Sequence, residues 1–380
     1  MEIPSRYLRA SLADIQTSSL RMSVSTQRLL INLNLARPSL RKSPDLDLNS
    51  NSLKYLKLTP LSPTEVKIPI TPKLPIEEKE KKKTVKDLVV NPKRRISRCG
   101  FFSKKGKTRG IDKEQNQDEV LVLPKINQVS YQFLFGVFDG HGDSGHLVSS
   151  LVKSRLKASI TSLKQTTNLN DLTDFLLYSI QMAVQSVENS NIEIKDSGST
   201  LCVVLISGNS LVCANIGDSR CIIATYSPKL KAEALSNDHK PSDPNESARI
   251  LKAGGKISET NLYPEKEQIL RVWSNNPKAP GLAMTRSIGD KYLRKAGVVS
   301  SPEVIRRVIK KEDKFLIIAS DGIWDVLTNE EVVQIVGKEL EGCHAKLACQ
   351  VLVEEASKRW MAIGDCVDDI SVVVVLLNSE

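Results

Sequence analysis

Phe135-Gly136-Val137-Phe138-Asp139-Gly140-His141-Gly142 is an apolar run that stops at an acid set between glycines. Residues 131–138 carry the aromatic and branched side chains of a buried strand. A carboxylate directly after such a strand is held by rigid backbone at the rim of a sheet, and the neighbouring glycine lets a ligand or ion approach the main chain. The same texture recurs along the chain. The apolar run 315–319 leads into Ser320-Asp321-Gly322-Ile323-Trp324-Asp325, and Gly217-Asp218-Ser219-Arg220 follows the runs 200–206 and 210–216. Asp368-Asp369 precedes the valine-rich run 370–377, and Asn116-Gln117-Asp118 precedes an early strand.

Amphipathic helices lie between these runs. Val148, Val152, Leu156 and Ile160 recur every fourth residue in 147–163, and Leu172, Phe175, Leu176, Ile180, Val184 and Val187 share one face of 171–188. Asp243-Pro244-Asn245-Glu246 has an N-cap acid before proline at the first helical position, and Thr328-Asn329-Glu330-Glu331 is a capping box. Strands come in consecutive groups instead of alternating with helices, so an α+β fold of antiparallel sheets covered by helices is expected.

The basic character of the chain resides in its first hundred residues. They hold 20 Lys/Arg against 9 Asp/Glu, whereas residues 101–380 hold 34 against 35. Nine of the 17 prolines fall there too, several in Thr59-Pro60, Ser62-Pro63 and Thr71-Pro72, with charged runs at 79–83 and 93–95. Such a composition favours extended chain over a packed core, so 1–104 is read as a largely disordered tail and 105–380 as the folded domain. A small helical cap around 5–35 is the alternative for the tail. Its excess positive charge, its Ser/Thr-Pro steps at Ser43, Thr59, Ser62 and Thr71, and Arg94-Arg95-Ile96-Ser97 suit an acidic scaffold released by phosphorylation. A passive spacer explains the same residues. The runs lack interleaved aromatics, so nucleic acid is not the expected partner.

The seven cysteines form no CxxC pair, and several sit in apolar runs, as expected of small buried side chains in a reducing compartment. No run reaches the length of a membrane span. A cytoplasmic or nuclear address is expected; the Arg/Ser-rich, acid-poor segment 5–43 leaves mitochondrial targeting as the other reading.

Singly, each acidic motif reads as a turn. Several carboxylates converging on one cleft would repel unless cations neutralised them, and all-oxygen ligands select Mg²⁺ or Mn²⁺. In order, Asn116-Gln117-Asp118, Val137 to Gly142, Ser197-Gly198-Ser199-Thr200, Asn215 to Arg220, Asp238-His239-Lys240-Pro241, Gly281 to Asp290, Ser320 to Asp325 and Asp368-Asp369-Ile370-Ser371 resemble the type 2C family of metal-dependent serine/threonine protein phosphatases. The resemblance spans nearly all of 110–378.

It implies two antiparallel sheets packed face to face with helices on both sides, an α-β-β-α sandwich acting as a monomer on phosphorylated proteins. Asp139 would bridge two metal ions, with the Gly140 carbonyl on one of them. Asp321 and Asp368 would hold the other, Asp118 would act through water, and Asp218, Asp321 and Asp325 would form a weaker third site. A metal-bridging hydroxide would attack phosphorus, and His141 would protonate the leaving alkoxide. This chain departs from the family pattern at three points. Gln117 stands in place of glutamate, and Asp369 stands in place of asparagine, which leaves Asp368 or Asp369 as the ligand. Lys113 stands where an arginine binds phosphate, with Arg109 further back as the other candidate. A catalytically weak relative serving as a binding module or scaffold is the rival reading.

Overall fold

The computed structural model describes residues 96–126, 132–162, 172–260, 269–276, 278–342 and 344–377. Ten main strands are β1 (Ile96–Lys104), β2 (Asp118–Leu123), β3 (Gln132–His141), β4 (Leu201–Ser207), β5 (Ser210–Ile216), β6 (Arg220–Tyr226), β7 (Leu230–Ala234), β8 (Glu303–Val308), β9 (Asp313–Ala319) and β10 (Ile370–Leu377). The longer helices are α1 (Gly145–Ser162), α2 (Leu172–Glu188), α3 (Pro244–Lys252), α4 (Asn329–Leu340) and α5 (Ala345–Ile363).

Two antiparallel sheets result, in the orders β1-β10-β9-β6-β7 and β2-β3-β4-β5-β8. Side-chain alternation along each strand sorts the core into layers. Phe133, Phe135 and Val137 of β3 point between the sheets, where they meet Ile223, Leu316, Ile318, Val373 and Val375. Leu134 and Phe138 point the other way, against Val148, Val152, Leu156 and Ile160 of α1 and Leu176 and Ile180 of α2. On the far side Ile222, Ile317, Val372 and Val374 pack against Val332, Val333 and Val336 of α4 and Leu352 and Val353 of α5. Each fully buried aliphatic side chain contributes about 1.5–3 kcal/mol. These layers are the expected α-β-β-α sandwich. No described helix is long and apolar enough to cross a membrane.

Local signals hold at the helix starts. Asp243 accepts from the Asn245 and Glu246 amides with Pro244 in the first turn of α3, and Thr328 and Glu331 close a reciprocal capping box on α4. Two boundaries differ from expectation. β3 runs on through Asp139 to His141, because Gly140 and His141 pair with Ser199 and Gly198. β1, which the sequence reading left in the tail up to residue 104, is an edge strand paired along its length with β10, and Cys99 is buried. Residues 96–104 are therefore part of the folded sandwich, ahead of the expected start at 105. The readings made for the tail before that point lie outside the described residues.

A smaller lobe was not anticipated. α3, the hairpin Lys256–Glu259 with Leu270–Trp273, and the 3-10 turn Lys291–Ala296 share their own core of Ile250, Val272, Leu282, Met284, Leu293, Ala296 and Val298.

Candidate active site

The acids gather at one rim of the sandwich. β2 and β3 are in a register that sets Asp118 opposite Asp139, so two carboxylates share one face of one sheet. The other sheet supplies Asp321, at the start of a one-turn helix after β9, and Asp368, just ahead of β10. Asp218 lies in the β5–β6 turn, where Gly217 has φ 94°, a backbone that favours glycine. Asp139 lies near Asp118, Asp321 and Asp368, and Asp325 lies near Asp218, Asp321 and Asp368.

Burial and repulsion from neighbouring acids raise Asp118, Asp139, Asp321 and Asp325. Asp139 and Asp321 are pushed well above the carboxylate range, first by desolvation and then by neighbouring acids. Asp118 is pushed to about 7 by burial, although hydrogen bonds from Ser320 and Ser371 pull the other way. Asp325 rises to about 6 for the same first reason, opposed by Lys240. Asp118 Oδ1, Asp218 Oδ1 and Asp321 Oδ1 are buried and accept no hydrogen bond. Buried, unpartnered carboxylate oxygens suit a cation. Among the described residues no three Asp, Glu, His or Cys side chains close into a ready-made cage. An open set of carboxylates matches a hard ion that keeps several waters, as Mg²⁺ does.

Two lysines enter the cluster. Lys113 Nζ meets Asp368 Oδ1 at 2.5 Å and Asp369 Oδ2 at 3.6 Å. Lys240 Nζ meets Asp218 Oδ2 at 2.6 Å and Asp325 Oδ1 at 3.9 Å. Burial works against both ammonium groups, yet the neighbouring acids raise their pKa above the usual lysine value. Arg109 is elsewhere: it sits exposed in a tight turn with φ 53° and makes no ion pair with the cluster.

Asp368 and Asp369 are placed differently. Asp369, with its side chain only 4% exposed, accepts the Gly106 amide (2.6 Å) on one oxygen and the Gln117 amide (2.9 Å) on the other. It ties segments together. Asp368, 45% exposed, faces the other acids. Gln117 likewise builds backbone: its side chain donates to the Gly142 carbonyl (2.8 Å), and its own carbonyl accepts from Gly140 N and Ser149 Oγ.

His141 Nε2 lies 2.7 Å from Asp290 Oδ2. Burial pulls the imidazole down, but the Asp290 charge prevails and raises it. Asp290 is lowered in turn: burial opposes, and His141, Ser287 and Arg294 prevail. Gly198 permits the pair, since a Cβ there would lie 2.8 Å from His141 Nε2 and closer still to Asp290. His141 Nδ1 is buried and unpartnered. Sequence reasoning missed Asp290 as a partner although it stands in a quoted motif, because 149 residues separate it from His141. Lys240 was missed for a similar reason. Arg220 and His239, from neighbouring motifs, are structural. Arg220 forks onto Asp238 (2.8 and 2.6 Å), reaches Asn329 and lies over Trp324, while His239 Nδ1 accepts the Gly217 amide.

Strand-borne acids, with basic side chains among them, thus stand at one rim of a double antiparallel sheet covered by helices. The family described as "Protein phosphatase 2C" matches residues 97–361, and the chain belongs to it. It is 34% identical to the rice protein "Probable protein phosphatase 2C 12", over 74% of this chain and 82% of that one. It is 35% identical to "Probable protein phosphatase 2C 72" of Arabidopsis thaliana, over 65% and 77% respectively. In fold it is similar to serine-threonine phosphatase 2C from Toxoplasma gondii, with TM-score 0.62 and 20% identity over 74% of this chain and 95% of that one.

Proposed function

We propose that the protein hydrolyses phosphoserine and phosphothreonine in proteins, with Mg²⁺ or Mn²⁺ as its resident ions. The observation that carries this reading is the set of buried, unpartnered oxygens on Asp118, Asp218 and Asp321, beside acids whose mutual repulsion bound metal ions would relieve. Asp139 with the Gly140 carbonyl, and Asp321 with Asp368, would hold two ions; Asp118 would act through water, and Asp218, Asp321 and Asp325 would hold a third. Ions bound there supply Lewis-acid activation of water and of the phosphoryl oxygens.

The rest falls to the chain itself. His141, held by Asp290 through Nε2, has Nδ1 free to give a proton to the departing alkoxide. Lys113, whose Nζ pairs with Asp368, would meet the phosphate as a point charge, without the fork of an arginine. Asp369 holds Gly106 and Gln117 in place behind the acids. Retention of His141, Asp139, Asp321 and Asp368 together favours a catalyst over a binding module.

The test is hydrolysis of a phosphoserine peptide by metal-stripped protein, with Mg²⁺, Mn²⁺ or EDTA added. Activity is expected only with an ion present. Asp139→Asn and Asp321→Asn should each cost about 100-fold or more in kcat, the scale of losing one preorganised charge at a reacting centre, with the thermal midpoint retained. Undiminished hydrolysis in EDTA would overturn the reading.

A further inference from the structure

A cavity of about 300 Å³ opens beside His141 and extends under the smaller lobe, where Arg271, Leu282, Met284 and Tyr292 line it. Strand alternation explains how an arginine comes to face it. In Leu270–Trp273, paired with Lys256–Glu259, Val272 turns into the lobe's core with Leu282 and Met284. Arg271 then projects from the opposite face. Val272 and Leu282 exchange both backbone hydrogen bonds, at 2.8 and 3.0 Å, which straps the 281–284 segment to the strand. Trp273 packs so closely on Gly281 that a Cβ there would lie 2.7 Å from its ring. Arg271 Nη1 donates to the Gly281 carbonyl at 2.9 Å. The guanidinium is therefore held on a rigid frame.

Among the described residues its charge has no counterion. Arg220 is paired with Asp238, Arg249 and Arg286 with Glu246, and Arg307 with Asp313. Among the described residues no carboxylate forms an ion pair with Arg271. Desolvation alone pulls its pKa below the usual arginine value, with no acid opposing it. A guanidinium has five N–H donors, and one hydrogen bond leaves most of them for a ligand. The apolar wall beside it lowers the local dielectric and strengthens a charge-assisted bond to an anion. The other charged groups on the cavity's outer edge are less suited. Lys195 is exposed and already paired with Glu193, and Asp196 is exposed and negative.

We propose that Arg271 is the floor of a subsite for an anionic side chain of the substrate, so that the enzyme prefers phosphoproteins carrying a carboxylate or a second phosphoryl group a few residues from the phosphate it removes. This deepens the proposed function and rests on it. Arg271 acts here as a specificity-determining residue, and the proton and phosphoryl chemistry stays with the rim.

The test uses the full chain with Mn²⁺ and one host phosphothreonine peptide. A single Glu, Gln, Lys or phosphoserine is placed in turn at each of about three positions on either side. At one position Glu, phosphoserine or both are expected to raise kcat/KM over Gln by about tenfold, the low end for a charge-assisted pair, with Lys below Gln. Preference for Glu alone or phosphoserine alone supports the subsite and names its source. Arg271→Gln should flatten the ratio, Arg271→Glu should invert it towards Lys, and Arg271→Lys should keep a reduced preference. Each ratio is taken within one enzyme, so a general fall in activity cancels. Equal rates for Glu, phosphoserine and Gln at every position, or a preference that survives Arg271→Gln, would overturn the subsite. Failure of the wild-type chain to hydrolyse any of the peptides would instead overturn the proposed function.

Discussion

Replacing Asp290 by asparagine separates proton delivery from the rest of the chemistry. The His141 Nε2–Asp290 Oδ2 pair is 2.7 Å long, and the Asp290 side chain is only 4% exposed, so solvent screens it little. Asparagine keeps the shape, and it tolerates the left-handed backbone found at 290, where φ is 48°. What is lost is charge. A hydrogen bond to a charged group contributes about 1.5–3 kcal/mol and a neutral one about 0.5–1.5, so the change removes about 1–2 kcal/mol of support for the protonated imidazole. That corresponds to a loss of about 5–30-fold in a step that needs the proton. A phosphoserine peptide leaves as an alkoxide and requires it, whereas an aryl phosphate leaves as a phenolate and does not. The assay is kcat for both substrates at saturating Mn²⁺, wild type against Asp290→Asn, with thermal midpoints recorded for each. The peptide rate should fall by the full factor and the aryl rate by much less. Equal losses on both substrates would refute the assignment and leave the pair as a brace for the cavity.

Glu246, its side chain 7% exposed, accepts from Arg249 (2.6 Å), Arg286 (2.8 Å) and Thr285, and these bonds outweigh burial to hold it far below the usual glutamate value. Its contribution is fully present above the unfolded pKa near 4.3 and is lost as pH falls towards the folded value, so Glu246→Gln should cost about 3 kcal/mol at pH 7 and about 2 kcal/mol at pH 3. Denaturant midpoints at the two pH values check this, and a pH-independent loss would contradict it. A chain trimmed to begin at residue 96 should keep the midpoint of the folded domain. One beginning at 105 should lose several kcal/mol, since it discards β1 with buried Cys99 and half-buried Phe101 and Phe102, at about 1.5–3 kcal/mol per apolar side chain. Equal midpoints would return the boundary to 105.

The sequence by itself settled what is local or periodic. Short continuous apolar runs at 131–138 and 370–377 marked strands, and period four in 147–163 marked a helix and its buried face, because one turn decides which side of a helix is buried. Asp243 and Thr328 marked helix starts, since a cap depends on residues only three apart. Acids at the ends of strands, after them for Asp139 and Asp321 and before one for Asp368, marked rim groups for the same reason. Where β1 belongs was not legible, because its partner β10 lies more than 260 residues away and an edge strand has little alternation of its own. Nor was the choice between Asp368 and Asp369: adjacent residues point to opposite sides, and only packing shows that Asp369 meets the Gly106 and Gln117 amides while Asp368 meets Lys113. The pairing of His141 with Asp290, the entry of Lys240 instead of Arg109 into the acidic cluster, and the approach of Arg271 to the cavity beside His141 likewise required the tertiary structure. Each is a contact between chain segments far apart in sequence, and no local pattern encodes the distance between them.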